Sequence, residues 1–578
     1  MAKTEKTVKE LVDNIKSGRI ALPEMQRRYV WRSTRVRDLL DSLYRGYPSG
    51  SILLWETDED VSTQEFAVSQ EQSPFATKLL LLDGQQRLTS LASVIEGSPI
   101  QTRNYKRPIE ILFNLEHPEA PSFITEVNED GDDDTDADID VEHDIEDAID
   151  SDVDELQARF NNMTFVVSTK KLAQLPHWVK VSDVFKEKIT AAQILKSIGV
   201  NNFDDPRFEK YHDRIARLKA IKEYVYKIDI LDKSMKYPEV TEIFVRVNSL
   251  GAKLRSADLA LAQITAKWKN SLKTFMDYQE QCHQANFNLD LSIFLRTLMA
   301  CATGQAKFHL IKNLSQTALQ IHWNETCRGI DYALNFLKNN VQIDSPALLS
   351  SPFLIVTLAY FAHTKAYNFT EKESALLKYW ILITNAKGRY SRGSSETILD
   401  QDLAIIREGL GLDELLNRLM NQVGGLDIKS GELEGRNQRS ALFKTMFLVF
   451  RANEAKDWKT QLTIALNAMG QQHSLQFHHI FPQKVLREAN YPQREIDDIA
   501  NLCFIGGKTN KIIPDKAPID YFPNILAQSG QQAFDAQCIP TSPQFLDVPN
   551  YKDFLKERRK LIVESLNRHI LQSKNNYS

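Results

Sequence analysis

Between Glu129 and Glu155 the chain carries 16 Asp or Glu and not one Lys or Arg. Such a run cannot enter a hydrophobic core, because it has little to bury and its charges repel one another. Whatever folds on either side must close without it. The stretch from about 127 to 157 therefore reads as a disordered insertion within a domain that resumes beyond it. It also masks the charge of the rest: the 578 residues sum to −5, and without these 16 carboxylates they sum to +11. A basic folded part suits a polyanionic partner. DGDDDTDAD has the composition of a calcium loop, but its Gly and closing Glu are wrongly spaced. An internal mimic of DNA and a plain solvated loop are the remaining readings.

The rest has ordinary globular composition, 42% hydrophobic and 25% charged, and is long enough for three or four domains. The longest apolar run, Pro352 to Ala362, is too short to cross a bilayer. The charged, helix-patterned MAKTEKTVKELV has no signal-peptide core. Five scattered cysteines without a CxxC pair point to a reducing cytoplasm and away from a cysteine zinc site. A cytoplasmic protein with no membrane partner is expected.

Val8, Leu11, Val12 and Ile15 share a helical face. Ile20 to Trp31 reads as a strand or extended segment ending in a cationic and aromatic cluster, Gln26-Arg27-Arg28-Tyr29-Val30-Trp31. Ser33 is placed to cap a helix carrying Val36, Leu39, Leu40 and Leu43. Tyr47 to Gly50 is a turn and Ser51 to Trp55 a strand. Leu79 to Leu82 read as a buried strand, Asp83-Gly84 as a sharp turn, and Gln85 onward as a helix with Leu88, Leu91 and Ile95 inward. A strand feeding a helix N-terminus presents backbone N–H groups, and Arg87 adds a cation, as a phosphate site needs. Asp83 could hold a metal or a ribose hydroxyl, and Gln85 and Gln86 a water or a base edge. An Asp-Gly turn beside a solvated Arg is the plain alternative. Val240, Ile243, Phe244 and Val247 make a further helix face ending near Asn248, read as a cap in preference to a ligand. Ser256 is placed to cap the helix after it.

QRRYVW, LLDGQQRLTSL and EIFVRVNSLGAKLRSADLALA together resemble the N-terminal ParB/sulfiredoxin-like domain of GmrSD-type (type IV) restriction proteins of anti-phage defence. The resemblance covers roughly residues 5–265. It implies a nucleotide-binding and often nucleotide-hydrolysing domain, with Asp83, Gly84, Gln85, Gln86 and Arg87 on one motif and Gln26 and Arg27 on the other. Whether the nucleotide is GTP, CTP, UTP or ATP stays open. The family comparison also suggests that this domain reads a modified base or a phosphorothioate. Arg28, Tyr29 and Trp31 are then candidates for DNA contact.

Residues 266–430 read as successive helices, for example Ser292 to Ala302, Ala347 to His363 and Lys372 to Thr384. Lys387 to Ser395, KGRYSRGSS, is either a basic loop for a DNA backbone or a solvated interhelical loop. Gly424 to Asn437 marks a boundary.

Beyond it lies LQFHHIFPQ and then NLCFIGGKTN, two histidines and two asparagines around a β-rich run. This pattern resembles an HNH nuclease domain. The resemblance implies that His479 is the general base, that His478 stands where a carboxylate usually binds the metal, and that Asn510 is the last ligand. Asn501 is the central Asn that ties the loop, grouped with His479 in the catalytic set. The imidazole at 478 shifts the expected divalent ion from Mg²⁺ or Mn²⁺ toward softer metals. Lys511 and Lys516 are candidate phosphate contacts. The basic amphipathic helix from Tyr551 to Ile570 reads as packing, with phosphate contact second.

The expected fold is α+β and mostly helical: a ParB/sulfiredoxin-like domain (1–265), an all-α middle region (266–430) and a ββα-metal domain (431–578). The expected function is a nucleotide-regulated, metal-dependent DNA endonuclease acting on modified DNA, as a homo-oligomer or with a defence partner protein. A nucleotide-switched DNA-binding protein and an RNA-directed toxin nuclease are the alternatives.

Overall fold

The computed structural model describes residues 2–575 except 27–28, 30, 60, 65, 70–77, 99, 101–108, 120–159, 203, 251–254, 470–471, 475–476, 511 and 514. The acidic run, Arg27, Arg28 and Lys511 lie outside the described residues. The chain divides into two compact units, Met1–Leu272 and Lys273–Ser578.

In the first unit the four leucines at 79–82 are apolar without alternation because both faces of their strand are covered. Leu79 and Leu81 pack toward one core, with Val12, Leu88 and Leu91. Leu80 and Leu82 pack into another, with Met25, Trp55, Val240 and Phe244. This strand, β5 (Lys78–Asp83), belongs to a six-stranded mixed sheet with β1 (Ala2–Thr7), β2 (Ile20–Pro23), β3 (Ile52–Thr57), β4 (Thr63–Gln64) and β9 (Val225–Leu231), in the order β1-β9-β3-β5-β2-β4. β5 pairs antiparallel with β3 and parallel with β2, through Ile20↔Leu79 and Ala21↔Leu80. A three-stranded sheet of residues 111–114, 165–167 and 178–180 extends the first core through Phe113 and Phe165.

Helix α1 (Val8–Lys16) buries the four residues its periodicity points inward, and Thr7 and Glu10 close a capping box at its start. The residues before it are a correction: MAKTEKT has a helical pattern but Ala2–Thr7 is an edge strand paired with β9. Its side chains need no apolar alternation, since the ladder is made of backbone groups. Ser33 and Ser256 are also not caps. Each is the first residue of its helix, α2 (Ser33–Tyr44) and Ser256–Lys267, and the preceding arginines are the extended N-cap positions. The helix Tyr237–Leu250 runs through Asn248, which therefore does not end it.

The second unit is helical as far as residue 466 apart from one isolated bridge, Lys456↔Thr463, among the described residues. Helices Gln316–Asn340 and Phe353–Thr364 approach closely at Gly329, where a Cβ would stand 3.1 Å from the carbonyl oxygen of Ala359. Phe353, Val356, Leu358 and Tyr360 are buried, as expected of core.

Two of the three basic residues in the 387–395 segment, Lys387 and Arg389, are neither solvated nor offered to DNA, while Arg392 is exposed. Lys387 and Arg389 are 3% and 2% exposed. Arg389 forks onto Asp402, with Nε–Oδ2 at 2.7 Å and Nη2–Oδ1 at 2.5 Å, and Tyr390 donates to Asp402 at 2.7 Å. Lys387 donates to Glu432 and to the Asp427 carbonyl, each at 2.8 Å. A buried cation requires such partners, so burial fixes the role of these side chains as packing.

Candidate functional site

β2 and β5 run parallel as neighbours, so the segments leaving their carboxyl ends lie side by side. QRRYVW follows β2 and DGQQR follows β5, and side chains join them. Gln26 donates its amide to the Leu81 carbonyl. The hydroxyls of Tyr29 and Ser90 share a hydrogen bond at 2.8 Å, across 61 residues of sequence. The backbone N–H of Trp31 donates to Gln86 Oε1 at 3.2 Å. The two motifs form one structural element. Tyr29, a DNA-contact candidate from sequence, is 4% exposed and packs in the core, so it faces no ligand.

Gly84 precedes helix α3 (Gln85–Glu96) at φ +99°, a left-handed conformation that favours glycine, and a Cβ there would collide with Ile52. The Arg87 guanidinium donates to the Ser49 carbonyl at 2.5 Å, the Ser51 carbonyl at 2.8 Å and Asp83 Oδ2 at 3.1 Å. It also stands 5.8 Å from the Tyr226 ring centre. The cation that sequence places at a phosphate thus braces the Tyr47–Ser51 turn.

In the second unit, β12 (His478–His479) pairs antiparallel with β13 (Leu502–Cys503), and a four-residue helix, Gly507–Asn510, follows. Strands this short leave flanking backbone groups unpaired, and side chains take over the ladder. Asn501 accepts from Phe481 N–H at 2.8 Å and donates to the carbonyls of Phe481 and Ile496, both at 3.0 Å. Gln537 brackets Phe504 in the same way, and Tyr521 donates to the Ile480 carbonyl at 2.7 Å. Asn501 is fully buried, so it positions the loop and touches no substrate.

His478 Nδ1 and Asn510 Oδ1 converge at 2.5 Å from strand and helix, 32 residues apart. Asn510 is the last residue of its helix. The His478 ring packs edge-on to Trp458, and its buried Nε2 has no hydrogen-bond partner among the described residues. Burial pushes its pKa down to about 4, against the opposing pull of the Asn510 hydrogen bond. The ring is neutral and keeps a lone pair, as a metal ligand must. A divalent ion held by both residues would replace this hydrogen bond, Nδ1 giving up its proton to become the nitrogen donor beside the Asn510 oxygen. Among the described residues no group of three or more His, Cys, Asp or Glu is arranged around a metal.

His479 is partly exposed, and its Nε2 lies 3.3 Å from Asp497 Oδ1. Burial pushes the Asp497 carboxyl up, but hydrogen bonds from His479 and Gln493 outweigh it and hold the pKa below the usual value. Asp457 steadies the turn before Asn510, accepting from Gly506 N–H at 2.6 Å and Thr509 Oγ1 at 2.7 Å. Buried Asp498 accepts from Gly435 N–H at 2.8 Å and Ala500 N–H at 2.9 Å, and pairs with Arg559 at 2.5 Å. Arg558 donates to the Ala500 carbonyl at 2.8 Å. The helix Tyr551–Asn575 thus holds residues 498–501 from behind, and Arg558 and Arg559 are spent there. Sequence reading missed Asp457, Asp497 and Asp498. The Asp-Asp doublet ahead of Asn501 was the available signal. Lys516 is exposed six residues past Asn510.

Residues 8–265, within the first unit, match the family described as GmrSD restriction endonuclease, N-terminal domain. The chain is similar to an uncharacterized protein of Methanocaldococcus jannaschii, 23% identical over 558 residues, which span 90% of this chain and 87% of that one. Such a span crosses both units. Among the described residues no helix is long and apolar enough to cross a membrane.

Proposed function

We propose that the chain is a nucleotide-regulated, metal-dependent DNA endonuclease of anti-phage defence, triggered by modified DNA. The observation that carries the reading is the convergence of His478 and Asn510 beside His479, in a chain whose residues 8–265 match the N-terminal domain family of a restriction endonuclease.

His479 takes the proton from the attacking water. Asn501 keeps the loop after His479 fixed, and Asp457 keeps Asn510 in reach of His478. His478 and Asn510 would hold a divalent ion, Mg²⁺, Mn²⁺ or one softer, which supplies charge stabilisation to the departing oxyanion. Lys516, with Lys511, would meet the DNA backbone. In the first unit Asp83 to Arg87 with Gln26 and Arg27 bind a nucleoside triphosphate, and Arg28 and Trp31 face DNA.

The test is cleavage of plasmid, modified phage DNA and RNA by the wild type and His479→Ala, with Mg²⁺ or Mn²⁺ and each nucleoside triphosphate. DNA cleavage lost in the variant is expected. Cleavage that survives the substitution removes His479 from the mechanism. No cleavage by the wild type under any condition favours a DNA-binding protein, and cleavage of RNA alone favours a toxin.

A further inference from the structure

The carboxylate facing His479 is itself held in place. Gln493 Nε2 donates to Asp497 Oδ2 at 2.7 Å, and Gln483 Nε2 lies 3.3 Å from Asp497 Oδ1. The same Gln483 nitrogen stands 3.1 Å from His479 Nε2, while Gln483 Oε1 accepts from Arg487 at 2.9 Å. Two proton arrangements suit this cluster. In one, His479 carries its proton on Nε2 and donates to Asp497, leaving the lone pair on Nδ1. In the other, Nε2 is bare and accepts from Gln483, and Nδ1 carries the proton. A hydrogen bond to a carboxylate is roughly twice as strong as one between neutral groups. The first arrangement therefore prevails. Among the described residues Nδ1 has no hydrogen-bond partner, so its lone pair is open to a water.

We propose that Asp497 is a positioning residue that fixes His479 as the Nε2–H tautomer and so makes Nδ1 the basic nitrogen. Gln483 and Gln493 hold its carboxylate at the imidazole. The water proton passes to Nδ1 as the water oxygen bonds to phosphorus and the bond to the leaving oxygen breaks. Asp497 stays ionised beside the imidazolium. The proposal rests on the reading of His479 as the base.

The test uses the full chain labelled with ¹⁵N-histidine, the His479 signals being identified by their loss in His479→Ala. Asp497→Asn and Asp497→Glu are compared with wild type, in the same preparations, for imidazole shifts and for cleavage. The expected result is Nε2–H in the wild type and a swing toward Nδ1–H in Asp497→Asn. In that variant kcat falls roughly 10- to 100-fold at unchanged KM, and Asp497→Glu recovers part of the rate. An Nδ1–H tautomer in the wild type overturns the proposal, as does an Asp497→Asn protein with wild-type shifts and kcat. If the wild type cuts nothing, the nuclease reading fails, and the tautomer alone decides the Asp497–His479 pairing.

Discussion

Asn501 grips both backbone groups of Phe481, accepting from its N–H at 2.8 Å and donating to its carbonyl at 3.0 Å, across 20 residues of sequence. The loop leaving the two histidines thereby has a fixed path. Asn501→Ala strands these buried groups and the Ile496 carbonyl, which costs roughly 2–4 kcal/mol. A urea melt of the second unit should report that loss. An unchanged midpoint would show that the loop has other support.

Arg87 tests differently. It spans the Ser49 and Ser51 carbonyls and Asp83, so Arg87→Ala should lower the stability of the first unit by about 1–3 kcal/mol as well as any nucleotide turnover. Arg87→Lys keeps the charge but not the fork, and should also melt early. Turnover lost with the melting curve unmoved would make Arg87 a ligand contact and not a brace.

The buried Arg389–Asp402 pair makes a contrast with surface cations. Asp402→Ala leaves a buried guanidinium without its carboxylate, at a cost of about 3–5 kcal/mol. Arg389→Ala should lower the melting temperature and leave the salt dependence of DNA binding unaltered. The reverse pattern would make Arg389 a phosphate contact.

His117 gives the first unit an acid limit. It accepts from Tyr44 at 3.2 Å and donates to the Pro118 carbonyl at 2.8 Å, and burial pushes its pKa down to about 4. The unfolded imidazole titrates near 6.5. A depressed folded pKa means the contribution is whole above about pH 6.5 and is lost as pH falls toward 4. Melts of the wild type should decline over that window more steeply than those of His117→Gln, and parallel curves would refute the assignment.

What the sequence conveyed depended on where each residue's partner lies. Leu79 to Leu82 announce a strand covered on both faces because burial acts residue by residue. The α1 face is legible for the same reason. Ala2–Thr7 is not, because its ladder partner β9 lies more than two hundred residues away and its side chains stay outside. KGRYS reads as a free basic loop because Asp402 and Glu432 meet it only in the folded chain. The histidine pair and Asn510 were visible as a pattern. Asp497 was not, since its meaning comes from the direction in which it points.

The brace formed by Arg558 and Arg559 also sets an order of events during synthesis. A growing chain carries His478, His479 and Asn510 well before it carries the helix that steadies Asp498 and Ala500. The support that Arg558 and Arg559 give to Ala500 and Asp498 waits for that helix to emerge and dock. A chain stalled before that helix would therefore carry the histidine pair and Asn510 without the brace behind residues 498–501.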